Sequence, residues 1–364
     1  MTYGAIGHLL LGGAGLLLVL AAAYDVFVSA IVPHPINVGR LSEFVTSVTW
    51  PLWRGVSARL IRVPRHRSVF LSIYGPATVL TVLTLWMACT IVGFGLIAYA
   101  VPGSLSPPPA SIAEAVYVAA TSVLTVGYGD FVPASAASRF ALLMGAGIGV
   151  GILAVTTTLL FSLLGSHQRR EEFVVELHAV TGIPLSGVSL LTAAGSYPDC
   201  EVAIAEIFAS ARRWSVGVME SHLAYPILAY HRSSRHGHSW IATLEAALDA
   251  SSLVLSATDG ALRSSAGPAY RVCCSVAHGL AGNFDRYVGG YRLVGDTSCD
   301  RAALLEAFEQ LRKAGYRVRS DEDAMVLQFA TLRAAYVADL AAMARYWDYA
   351  REPVSGARQG VQST

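Results

Sequence analysis

Residues 125–130 read Thr125-Val126-Gly127-Tyr128-Gly129-Asp130, between two long apolar segments and directly after a short amphipathic stretch. Successive carbonyls of one strand turn to the same side only if every other residue adopts left-handed backbone angles. Gly127 and Gly129 can do so cheaply. A row of such oxygens, with the Thr125 hydroxyl at one end, is the donor set that a dehydrated cation requires. A Gly-Tyr-Gly surface turn would use the same residue types. The apolar segments on both sides speak against it.

The composition fits a membrane protein: 364 residues, 54% hydrophobic, 14% charged, formal net charge +1. That balance gives no reason to expect a nucleic-acid partner. Lys313 is the only lysine, so the basic residues are almost all arginine, a bias expected of a high-GC bacterial genome. The cysteines Cys89, Cys200, Cys273, Cys274 and Cys299 have no CxxC metal spacing. Adjacent Cys273 and Cys274 read as helix packing rather than a redox pair.

Three segments reach the roughly 20 apolar residues that a bilayer needs: about Ala5 to Val32, Phe70 to Val101, and Phe140 to Leu164. The first has no basic leader and no clear cleavage site, so it is expected to be retained. Arg40, Arg54, Arg59, Arg62, Arg65 and Arg67 lie between the first two segments, and no Lys or Arg lies between the second and third before Arg139. The positive-inside rule then predicts residues 33–69 in the cytoplasm, residues 102–138 and the N-terminus outside, and everything after Leu164 inside.

In the outer loop, Pro102 to Pro109 cannot be helical. Ser111, with Glu114 three residues on, predicts a capped helix to about Leu124. That helix is too short to span, and it runs straight into residues 125–130. A re-entrant helix with its C-terminal end inward places partial negative charge where a cation would sit. Irregular backbone is tolerated at that depth because it lines a path.

Residues 70–165 resemble the outer helix, pore helix, selectivity filter and inner helix of the bacterial one-pore potassium channel family, which carries TVGYGD. The resemblance implies a two-helix pore with a re-entrant pore helix and filter; with the first apolar segment and the helical patterns after Leu164, the expected fold is all-α integral membrane, with three transmembrane helices, the re-entrant pore helix and filter, then an α-helical cytosolic domain. It implies that Thr125, Val126, Gly127, Tyr128, Gly129 and Asp130 form the filter, with K+ held at Thr125, Val126, Gly127 and Tyr128. It implies a gating hinge at Gly149, 19 positions after Asp130, and a cavity lined by Val150, Leu153, Thr157 and Phe161. Those four lie on one helix face. There are departures: Thr121 stands where some members carry a carboxylate paired with the filter aspartate, and Val118 thins the aromatic cuff beside Tyr117.

The implied function is passive K+ permeation through a homotetramer in the cell membrane. It is not enzymatic, and its only cofactor is the permeant ion. The alternative is a non-selective or signalling cation pore whose cytosolic domain carries the main function. The domains expected are 1–33, an N-terminal transmembrane helix; 34–69, an amphipathic basic linker; 70–165, the pore; 166–350, a helical cytosolic domain; and 351–364, a disordered tail.

Asp25, near the inner end of the first segment, reads either as a gating group or as a structural partner of the loop arginines. Arg59, Arg62 and Arg65 have voltage-sensor spacing, but no 20-residue apolar run surrounds them. A cytoplasmic amphipathic stretch from Leu41 to Arg62, with Phe44, Trp50 and Trp53 at the interface, is expected instead. The 40–67 arginines are a candidate contact for anionic lipid.

Beyond Leu164, Asp300 is expected to cap a helix carrying Leu304, Leu305, Phe308 and Leu311 and ending at Gly315. Ser320 and Asp323 open a longer one with the stripe Met325, Phe329, Leu332, Tyr336, Leu340 and Met343. Burial within the domain and a coiled-coil seam between subunits both fit that stripe. Trp214 to Tyr230 reads as one helix kinked at Pro226. His231, Arg232, Arg235, His236 and His238 read as a solvated loop or a metal or anion sensor. The cytosolic domain is expected to be regulatory, and no nucleotide-binding βαβ pattern is evident in it.

Overall fold

The computed structural model describes residues 2–30, 41–233, 235, 237–288 and 300–349. The tail after Arg351, residues 34–40, His236 and Cys299 lie outside them. The helices are α1 (Thr2–Ala30), α2 (Leu41–Leu60), α3 (Pro64–Ser72), α4 (Tyr74–Ala100), α5 (Ile112–Val123), α6 (Ala136–Thr181), α7 (Gly187–Gly195), α8 (Cys200–Ala224), α9 (Trp240–Ala257), α10 (Ala261–Val288), α11 (Arg301–Lys313), α12 (Glu322–Ala334) and α13 (Val337–Tyr346). A 3-10 turn covers Pro226–Tyr230, and two short strands, β1 (Leu105–Ser106) and β2 (Val132–Pro133), pair antiparallel. The chain forms two compact units, 1–50 with 76–164, and 51–75 with 165–364.

In the first unit α1, α4 and the apolar part of α6 are each long and apolar enough to cross a bilayer. The chain is a multi-pass membrane protein by this criterion and by its composition. The helices meet through small residues, as membrane helices do. A Cβ at Gly15 would stand 2.5 Å from the Gly93 carbonyl oxygen, and a Cβ at Gly93 would stand 2.7 Å from the Gly15 oxygen. Gly95 admits the backbone of Val116 in the same way. Val19, Phe94, Ala119 and Val123 form one cluster, and Val26, Val45, Val82, Trp86 and Ile152 another.

Among the described residues Asp25 is held by groups other than the arginines. Its carboxylate accepts from the Leu41 backbone N–H at 2.8 Å and from the Trp86 indole at 2.6 Å. The first contact places negative charge on the N-terminal end of α2, where the unpaired amides want it. Trp50 is also inward, 1% exposed, rather than interfacial.

In the second unit α9 is enclosed by α7, α8, α10, α12 and α13. It is a fourth helix long and apolar enough for a membrane. Yet its Glu245 and Asp249 both face Arg333 of α12, at 3.5 and 3.4 Å, and the Tyr336 hydroxyl donates to Asp249 at 2.5 Å. A helix apolar all round is a core helix when protein already surrounds it.

Asp300 and Asp321 cap α11 and α12, accepting from Ala302 and Ala324 N–H. The longer helix expected from Ser320 is two helices bent by 48°. Met325, Phe329, Tyr336, Leu340 and Met343 are buried inside the unit, which leaves no seam. The Trp214–Tyr230 helix stops at Ala224, because Tyr225, ahead of Pro226, takes extended angles of φ −130 and ψ 81.

Residues 51–75 belong with the C-terminal part rather than with a separate linker. Trp53 stacks on Phe70 at 4.6 Å, so it too faces protein. Arg54 donates to the Arg345 and Tyr346 carbonyls at 3.3 and 3.1 Å, and Arg67 pairs with Asp348 at 2.9 Å. Arg232 donates to the Trp347 and Asp348 carbonyls at 2.6 and 3.1 Å. Three guanidinium groups therefore close the C-terminal end of α13, whose last carbonyls have no partner within the helix.

Candidate functional site

The segment that carries residues 125–130 is built from α5. Ser111 accepts from the Glu114 N–H at 3.3 Å, and the Glu114 carboxylate accepts from the Ala110 N–H at 2.6 Å. The reach back falls one residue earlier than in a standard capping box, with the same effect of satisfying first-turn donors. The β1–β2 pairing, Leu105 opposite Pro133 and Ser106 opposite Val132, closes the loop around α5 and residues 124–131.

Beyond α5 the backbone turns left-handed at every other residue: φ is +57° at Thr125, +62° at Gly127 and +82° at Gly129. Two of these positions were expected from the glycines. Thr125 was not, and a left-handed threonine costs about 1–2 kcal/mol, so its surroundings hold it there. The holding contacts are at the Thr121 carbonyl, which accepts both the Val126 N–H at 2.7 Å and the Gly127 N–H at 3.1 Å. Thr121, where a carboxylate is missing, thus ties the segment through its backbone.

Tyr117 supplies the side-chain support. Its ring stacks with Tyr128 at 6.5 Å and meets Phe131 edge-on at 6.4 Å. Sequence reasoning placed Tyr117 in the cuff but missed the part played by Phe131. All residues from Leu124 to Asp130 are exposed on the single chain.

Val150, Leu153, Thr157 and Phe161 form an exposed row on α6, with Leu153 61% and Phe161 70% open. The Thr157 hydroxyl donates to the Leu153 carbonyl at 2.9 Å. Gly149 faces the other way. α6 passes through it without a break, and a Cβ there would overlap the carbonyl and Cγ1 of Val123, the last residue of α5. Gly145 approaches Phe94 similarly, at 3.2 Å, while Gly147 and Gly151 have nothing within 4 Å. Two of the four glycines are therefore close-approach sites, and Gly149 is one of them.

The second unit holds a different polar centre. Arg170, 2% exposed, donates to the Leu228 carbonyl at 3.1 Å and the His231 carbonyl at 2.5 Å, and pairs with Glu171 at 3.0 Å. His167 lies 3.0 Å from one guanidinium nitrogen and His222 3.5 Å from another. Burial, reinforced by Arg170, pushes His222 down to about 3. Burial likewise holds His231 down at about 4 and lowers His167. These histidines are neutral at ordinary pH. The His222 Nδ1–H donates to the Val218 carbonyl at 2.8 Å, which turns the Nε2 lone pair toward Arg170.

His231, Arg232 and His238 are thus half-buried and tied down, with Arg232 on the carbonyls that follow α13 and His238 stacked on His178 at 3.8 Å, while Arg235 is exposed. Among the described residues no three His, Cys, Asp or Glu side chains gather as a metal site.

Residues 82–166 match a protein-family model described as "Ion channel". The match runs from within α4 through α5 and residues 124–130 to the apolar part of α6, so this part of the chain is similar to an ion-channel domain. No curated protein and no solved structure matches the chain.

Proposed function

We propose that this ion channel is potassium-selective and works as a homotetramer, with Thr125, Val126, Gly127 and Tyr128 supplying the oxygens that replace the water of K+. The observation that carries this is the alternation of left-handed angles at Thr125, Gly127 and Gly129. It supports a row of carbonyls facing one side, and the TVGYGD residues are those the resemblance assigns to that task. One chain contributes one such strand, and a closed ring needs four; the exposure of Leu124 to Asp130 on a single chain supports their burial between copies. Val150, Leu153, Thr157 and Phe161 would line the cavity below. Residues after Leu164 would be cytosolic and regulatory, since α6 continues without interruption into them.

The test is the reversal potential of the purified chain in planar bilayers between K+ and Na+ solutions. The expected result is a strong preference for K+, lost in Gly127→Ala, because a Cβ resists φ near +60°. Equal permeability to the two ions in the wild type would refute the selective reading and leave a non-selective cation pore. A conducting dimer or monomer by mass photometry would refute the tetramer.

A further inference from the structure

The six arginines between residues 40 and 67 are not equivalent. Arg40 lies outside the described residues. Arg54 and Arg67 are spent on the C-terminal end of α13. Arg59, Arg62 and Arg65 are exposed and have no partner among the described residues. They have none to find nearby in the chain, because no Asp or Glu occurs between Glu43 and Glu114.

The apolar residues of the same stretch sort likewise. Trp53 and Ser57 turn inward, while Leu52 is 65% exposed, Val56 46%, Leu60 76% and Val63 50%. Leu52, Val56 and Leu60 recur every four residues, so they form one stripe, with Arg59 at its edge. An exposed apolar stripe ending in unpaired arginines is unfavourable against water and favourable against a surface that offers both apolar depth and negative charge. Arg65 is nine residues before Tyr74, where α4 begins. That is about 14 Å of helix, so the stretch lies within reach of the bilayer surface.

We propose that the outward side of residues 52–65 docks on anionic phospholipid, with Arg59, Arg62 and Arg65 on headgroup phosphates and Leu52, Val56 and Leu60 at the acyl-chain boundary. The opposite side of the same stretch is held by α13 through Arg54 and Arg67. Lipid charge and the C-terminal unit therefore act on one element from two sides. The proposal rests on the membrane-spanning character of the chain and not on which ion it passes, so each can fail without the other.

The test uses the full-length chain in neutral detergent, with native mass spectrometry reading the binding of added dioleoyl phosphatidylglycerol and, in parallel, dioleoyl phosphatidylcholine. The wild type should retain phosphatidylglycerol preferentially, and added salt should weaken that binding. Each arginine near a lipid surface is worth about a fivefold change. The triple variant Arg59→Gln/Arg62→Gln/Arg65→Gln should therefore lose phosphatidylglycerol affinity about a hundredfold. Replacing the three by lysine should keep it within a few fold, since a headgroup surface reads charge. If the glutamine triple does not fold, the single variants carry the test at about fivefold each. Equal binding of the two lipids, or unchanged phosphatidylglycerol affinity in the variants, would overturn the proposal. Loss of assembly with lipid affinity intact would assign the face to a second copy instead, and would overturn it as well.

Discussion

Gly149→Ala separates two roles for one glycine. A hinge predicts altered opening with little loss of stability. The packing described above predicts the reverse, because the new methyl enters the space of the Val123 carbonyl. The magnitude follows from a comparison with Gly147→Ala, where nothing lies within 4 Å. Both substitutions gain about 1 kcal/mol of helix propensity, so that contribution cancels between them. The difference left is the cost of overpacking, about 1–3 kcal/mol, at the high end because a backbone carbonyl cannot rotate away as a side chain can. Val123 is two residues before Thr125, so a shift there moves the foot of the 125–130 segment. Thermal unfolding of the purified chain in detergent, followed by tryptophan fluorescence, measures the difference. Reversal potentials measure the consequence for ion preference. If Gly149→Ala proved as stable as Gly147→Ala, with ion preference intact and only open probability changed, the packing argument would fail and the hinge would stand.

Arg170→Met should destabilise the C-terminal unit by about 3–5 kcal/mol, the usual cost of removing one partner of a buried ion pair. Faster hydrogen exchange over residues 226–231 should accompany it, and unchanged protection there would refute the claim. Acid should weaken the same unit. His222 is neutral when folded, its value held at about 3, and titrates near 6.5 when unfolded. The unfolded state therefore binds more protons between those limits. Stability from this group is full above pH 6.5 and falls by about 1.4 kcal/mol per unit as pH drops toward 3. His222→Gln should flatten that slope in urea titrations at stepped pH; a slope unaffected by the substitution would rule His222 out as its source.

What was legible in the sequence was local. The TVGYGD segment, the Ser111 and Asp300 caps and the Leu304, Phe308 and Leu311 face each depend on residues a few positions apart. What was not legible depends on distance. Asp25 finds Trp86, 61 positions on, a partner that no local pattern announces. Trp50 carries no local sign of which way it faces. α9 has the composition of a membrane span, and only the helices around it and the Arg333 partner of its two acids make it a core helix. The bend between α12 and α13 lies where periodicity continues unbroken, and the tie from Tyr336 to Asp249 is invisible in a pattern of apolar spacing. Within residues 125–130, glycine announces its left-handed angles; threonine does not.

The assignment of residues 51–75 to the C-terminal unit has a consequence for how the protein is made. Arg54 must wait for Arg345, 291 positions later in the chain. At translation rates of about 5–20 residues per second, that is roughly 15–60 s during which the early segment has left the ribosome and its partner does not exist. The two long apolar helices α4 and α6 are synthesised in the meantime. The C-terminal unit therefore cannot be completed as an independent late domain, since one of its pieces is laid down before α4 and α6. A chain ending near Arg170 would leave that piece permanently uncovered, with Arg54 lacking the Arg345 and Tyr346 carbonyls, Arg67 lacking Asp348 and Tyr74 lacking Tyr230. Nascent-chain crosslinking at position 54 would follow the interval directly, with an added chaperone captured early and α13 captured late.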